Sequence, residues 1–100
     1  MIVVTSTFKA KPGMRGKVLE IVRPCIEATR KETGCMRYEL FMASEDDVTL
    51  QFIEEWADIE ALRAHMASPH LVEYRERRKG FVEEEGGVLK IFEAAPVSLN

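Results

Sequence analysis

CMRYELFMASEDDVTLQFIEEW, residues 35–56, reads as two strands and the turn that joins them. Cys35 to Ala43 and Val48 to Trp56 alternate in side-chain character and are rich in aromatic and branched residues, the pattern of half-buried strands. Ser44-Glu45-Asp46-Asp47 between them is short and polar, so the two strands must form an antiparallel hairpin. Successive side chains point to opposite faces. Met36, Tyr38, Leu40 and Met42 therefore share a side, as do Val48, Leu50, Phe52, Glu54 and Trp56. The other side carries Cys35, Arg37, Glu39 and Phe41, with Thr49, Gln51, Ile53 and Glu55.

Upstream, Val18, Ile21, Val22, Cys25 and Ala28 follow helical spacing between Met14 and Lys31. Pro24 removes one ladder hydrogen bond and predicts a kink. Thr33-Gly34 closes the helix, with Gly34 suited to the left-handed position just beyond its end. Lys11-Pro12-Gly13 separates this helix from a first strand, Ile2 to Ala10, in which Ile2, Val4, Ser6 and Phe8 face one way. Downstream, Asp58 can cap a short helix carrying Ile59, Leu62 and Met66. Ser68-Pro69 is a second helix start, and that helix runs to about Lys79. Phe81 to Gly87 reads as a frayed connection, and Val88 to Ala94 as a last strand. The order β-α-β-β-α-β defines an α+β, ferredoxin-like subunit with both helical regions on one face of an antiparallel sheet. One domain spans residues 1–94, and residues 95–100 form a tail.

One hundred residues with 46% hydrophobic and 31% charged content suit one small globular domain. A net charge of −3 argues against nucleic acid as a partner. No apolar run is long enough for a bilayer span, and Met1-Ile2-Val3-Val4 lacks the features of a signal segment. Cys25 and Cys35 have neither C-x-x-C spacing nor other metal-ligand clustering, so reduced thiols in a cytoplasmic protein are expected. No nucleotide-binding loop or nucleophile elbow is present.

The sheet face away from the helices offers Val3, Thr5, Cys35, Phe41 and Ile53 among polar residues. That is too apolar to leave wet. Covering it with the same face of a second copy gives an isologous dimer, a two-sheet α/β barrel.

Three polar groups interrupt the helix-facing set: Ser6, Tyr38 and Glu54. Glu54 lies between Phe52 and Trp56, a costly place for an unpaired charge. It is either a strand-end carboxylate paired with an arginine or a polar handle inside a cavity. His65 falls near the edge of the buried face of its helix, where it is either a structural histidine or a group tipped into a helix–sheet cleft. His70 lies five residues on, across the Ser68-Pro69 break. That spacing does not bring two imidazoles onto one helical face, so no metal pair is expected. Trp56 reads as core, or as a stacking surface beside a cavity. The charged run Glu73, Arg75, Glu76, Arg77, Arg78 and Lys79 reads as a solvated helix face.

Four stretches in order carry a family likeness: Phe8-Lys9-Ala10-Lys11-Pro12-Gly13, Glu32 to Leu40, Glu54-Glu55-Trp56, and His65-Met66-Ala67-Ser68-Pro69-His70. Over about residues 2 to 93 the chain resembles the antibiotic biosynthesis monooxygenases, which include quinol monooxygenases. The resemblance implies a dimeric α/β barrel with one cavity per subunit. It implies oxidation of a quinol-like or polycyclic phenolic aromatic by dioxygen, with no metal, flavin or haem cofactor. His65 would then be the general base, and Glu54 and Tyr38 would orient the substrate or hold His65. Ser6, Phe52, Trp56 and His70 would be substrate-binding positions. Other members of the superfamily isomerise or process a small phosphorylated signalling metabolite, which leaves an isomerase or binding protein as the alternative. Haem degraders of this fold carry Asn, Trp and His where this chain has Ser6, His65 and Arg75. Arginine does not ligate iron at neutral pH, so haem chemistry is not expected.

Overall fold

The computed structural model describes residues 1–100. The elements run β1 (Ile2–Lys9), α1 (Arg15–Thr29), β2 (Cys35–Met42), β3 (Thr49–Trp56), α2 (Ile59–Met66), α3 (Pro69–Arg77) and β4 (Val88–Glu93). The four strands form one antiparallel sheet in the order β2-β3-β1-β4. This is the ferredoxin-like order that the alternating pattern predicted. No helix is long and apolar enough to cross a membrane.

The core lies between the helices and the face carrying Ile2, Val4, Phe8, Leu50, Phe52 and Trp56. Val18, Ile21, Val22 and Cys25 of α1 pack onto it. α1 continues through Pro24 as helix. Pro24 sits on the exposed side, where water can serve the carbonyl that the missing N–H leaves unpaired. Asp58 caps α2 by accepting a hydrogen bond from the Ala61 N–H, at 2.9 Å. Pro69 opens α3. The Ser68 hydroxyl does not cap that helix; it donates to the His65 carbonyl at 2.7 Å.

Three local expectations are corrected. A β-bulge at the start of β2 puts Cys35 opposite Trp56 on the helix side, and leaves Met36 58% exposed. A bulge adds one residue to one strand, so alternation fails across it. Gly34 does adopt a left-handed φ of +83°, but five residues beyond α1, in the turn that feeds β2. The connection before β4 is pinned, not frayed: Val82 is buried, Lys11 N–H donates to the Phe81 carbonyl, and Glu83 N–H to that of Lys9.

The Gly34 turn is a sensitive point. A Cβ there would meet the Ala61 Cβ at 2.6 Å as well as forcing a left-handed φ on an L side chain. Gly34→Ala is expected to cost about 2 kcal/mol or more. Urea unfolding of the two chains measures it, and an unchanged midpoint would mean that α2 yields freely.

The outer sheet face is as mixed as expected, and β4 widens it. Phe92 pairs with Val3 and Val88 with Thr7, and both are about half exposed, as is Phe41. Its polar residues pair within the chain. Arg37 donates to Glu39 and Glu55 at 2.7 and 3.4 Å, and Gln51 Nε2 to the Thr7 hydroxyl at 2.9 Å.

Candidate active site

The helices cover β2, β3 and β1 but stop short of β4, every residue of which is exposed. A cavity of about 250 Å³ opens along that boundary. Of the residues expected at a site, Ser6, Tyr38, Phe52, Glu54 and His65 line it. Trp56 and His70 do not. Trp56 is fully buried behind the cavity wall, where its indole N–H donates to Glu54 Oε1 at 3.0 Å.

His65 is not at the edge of its helix face. Leu62 and His65 are the buried residues of α2, while Ile59 and Met66 are each 37% exposed. The imidazole lies against Trp56, ring centroids 4.8 Å apart, and edge-on to Tyr38 at 5.2 Å. Its Nδ1 is 2.7 Å from Glu32 Oε2. His70 Nε2 is also 2.7 Å from that same oxygen. The expectation that the two histidines stay apart is therefore corrected. Spacing on one helical face is not the test here, because the two residues stand on separate helices, and the break at Ala67-Ser68 brings the first turn of α3 beside the end of α2. Glu32 was not singled out in the sequence. It sits in the turn between α1 and β2, and no periodicity places a turn residue.

Burial pushes the Glu54 carboxyl up to about 7, against the Trp56 hydrogen bond and the Arg75 charge, which both lower it. Burial also pushes the His65 imidazole below its ordinary value, with the Glu32 hydrogen bond opposing, and pushes the Tyr38 phenol up, with Glu54 adding to it. A raised carboxyl has a linkage consequence. Its proton is held more tightly in the folded chain, so its contribution to stability is fully present below the unfolded value, about 4.5, and is lost as pH rises through about 7. Glu54→Gln keeps an acceptor for Trp56 and removes the ionisation. Relative to that variant, the wild-type chain is expected to lose a few kcal/mol (about 3 at most) between those pH values. Unfolding curves across that range test this, and parallel profiles for the two chains would contradict it.

The charged run on α3 is not wholly solvated. Arg75 and Arg78 line the cavity, and neither is in an ion pair. Arg78 lies over the rings of Phe8 and Tyr74, at 5.5 and 5.1 Å, and Tyr74 is buried. Leu89 and Ile91 of β4 complete the apolar side. Fold and cavity together describe a small-molecule site walled by aromatic and aliphatic groups, with Glu54, His65, Arg75 and Arg78 as the ionisable groups of its lining, beside the phenols of Tyr38 and Tyr74.

The family model for antibiotic biosynthesis monooxygenases matches residues 1–77, and the chain belongs to that family. It is 31% identical over 94 residues to a protein of Escherichia coli K12 named probable quinol monooxygenase YgiN, covering 84% of this chain and 90% of that one. It is 28% identical over 94 residues to the uncharacterized protein sll1783 of Synechocystis, covering 94% of this chain but only 63% of that protein. A crystal structure of an antibiotic biosynthesis monooxygenase superposes with a TM-score of 0.86 at 31% identity, covering 96% of this chain and all of the other. The structure of Rv0793 from Mycobacterium tuberculosis superposes with a TM-score of 0.82 at 25% identity, over 97% and 95% of the two chains.

Proposed function

We propose that this chain is a monooxygenase that oxidises a quinol-like aromatic with dioxygen and needs no cofactor. The observation that carries the reading is His65, set in the wall of an aromatic cavity with Nδ1 committed to Glu32. With Nδ1–H donating to the carboxylate, Nε2 holds the lone pair, and the imidazole is a ready general base. Removal of a quinol proton by Nε2 leaves an electron-rich phenolate that itself reduces dioxygen. One oxygen atom enters the ring and the other leaves as water, with the quinol as the sole reductant. Glu54 and Tyr38 hold the ring oxygens, Ser6 and Phe52 line its bed, and the cavity keeps bulk water from the reactive intermediates. Trp56 and His70 act from behind, on Glu54 and Glu32. Oxygen uptake with a panel of substituted hydroquinones tests the reading. Uptake above the uncatalysed rate for at least one is expected, and none for any would overturn it.

Two copies would pack through the outer sheet faces. The support is the half-exposed Phe41, Phe92 and Val88 there, and the internal pairing of Arg37, Glu39 and Glu55, which lowers the cost of burying their charges. The free thiols Cys25 and Cys35 suit a reducing cytoplasm.

The unpaired guanidinium groups of Arg75 and Arg78 favour a second reading, an isomerase or binding protein for a phosphorylated or signalling metabolite in the same cavity. Native mass spectrometry of the freshly purified chain separates the two. A retained phosphorylated compound supports the second, and an aromatic one the first.

A further inference from the structure

Three elements that are separate in sequence deliver three metal-ligating atoms to one point. Glu32 comes from the turn after α1, His65 from α2, and His70 from the first turn of α3. Glu32 Oε2, His65 Nδ1 and His70 Nε2 all lie within 4.8 Å of one another. We propose that Glu32, His65 and His70 form a binding site for a divalent transition ion of the zinc class.

Two imidazoles and one carboxylate are a donor set that such ions take in tetrahedral sites, with the fourth position left to water. Bond lengths of about 2.0–2.2 Å place tetrahedral ligand atoms about 3.3 Å apart. The two contacts of 2.7 Å to the carboxylate oxygen must then open by about half an ångström, and the two imidazole nitrogens, within 4.8 Å of each other, must close by up to about 1.5 Å, which rotation of the partly exposed His70 can supply. Access is available on one side. His70 is 24% exposed at its side chain and borders a small cavity of about 60 Å³ between α1 and α3. The site meets the substrate cavity through His65 alone, since neither Glu32 nor His70 lines that space.

The consequence for catalysis rests on the function proposed above. An ion on His65 Nδ1 takes the lone pair there and leaves the ring proton on Nε2, the nitrogen that would accept the quinol proton. The bound ion and the general base are therefore mutually exclusive, and zinc is a reversible inhibitor.

Binding is measured first, without reference to activity. Chelator-treated protein is titrated with Zn²⁺ by calorimetry, and with Co²⁺ while the visible ligand-field bands are followed. One ion per chain with a tetrahedral Co²⁺ spectrum is expected, and His70→Ala and Glu32→Gln should each weaken binding by about tenfold or more. Imidazole nitrogen resonances keep the test sound if a variant folds poorly: in the wild-type chain, zinc should shift His65 Nδ1 and His70 Nε2. Absence of saturable binding, or resonances that do not move, overturns the site. In the second arm, zinc is added to a quinol-oxidation assay. Binding with undiminished oxidation would leave the metal site standing and overturn the exclusion of ion and base. If the chain oxidises no quinol at all, only the proposed function fails, because the binding arm does not depend on it.

Discussion

Replacing His65 with Gln is expected to lower the rate of quinol oxidation by about 10²–10⁴-fold, the usual worth of a positioned general base, with KM little changed. The group lost acts on the proton in transit, so the fall belongs in kcat. Gln is close in size, keeps an amide to meet Glu32, and leaves intact the bond from the Ser68 hydroxyl to the residue 65 carbonyl. Circular dichroism confirms that the variant is folded. Glu32→Gln is the companion: it leaves His65 in place but removes the charge that fixes its tautomer, so a smaller loss in kcat is expected. Wild-type oxygen uptake by His65→Gln would remove His65 from the reaction and turn attention to Glu54, whose carboxyl titrates near neutrality.

Ile53→Lys is expected to abolish the proposed dimer and lower thermal stability together. Ile53 stands in the central part of the outer face, opposite Thr5 on β1 and Glu39 on β2. A two-fold contact would meet the substitution on both sides. Each lost side-chain burial costs about 1.5–3 kcal/mol, and each copy would have to bury an unpaired ammonium. That is large against the roughly 5–15 kcal/mol that holds a small domain. Lys79→Glu, in the turn after α3 where the side chain is 71% exposed, should alter neither property. Analytical ultracentrifugation and thermal melts at matched concentration measure both. A wild-type chain that sediments as a monomer at micromolar concentration would sink the two-sheet arrangement.

How much of the site could be read in the sequence varied with the kind of residue. Ser6, Phe52 and Glu54 lie on strands, where a period of two assigns each side chain to a face, and all three reach the cavity. Tyr38 was placed correctly because it lies beyond the bulge, whereas Cys35 and Met36, before it, exchanged faces. A bulge of one residue leaves no mark in an alternating pattern that still reads as a strand on either side. His65 was assigned to the edge of its helix because Ile59 and Met66 seemed to centre the buried face. In the fold, those two stand at the ends of a short helix and are exposed, and the buried face runs through Leu62 and His65.

Alternation, helical spacing and turn chemistry determined the order of elements, the hairpin, the Asp58 and Pro69 helix starts, and hence the βαββαβ architecture. These are local properties, decided by which backbone conformations neighbouring residues allow and which faces they make apolar. Only the tertiary structure decided that Glu32 receives both His65 and His70, that Trp56 stands behind Glu54 instead of beside a ligand, and that Arg75 and Arg78 turn toward a cavity. Each of those contacts joins residues from different elements, and it depends on helix position and on where α3 turns back after Ser68. No spacing along the chain encodes that distance, because it is set by how the apolar faces pack once the elements have formed.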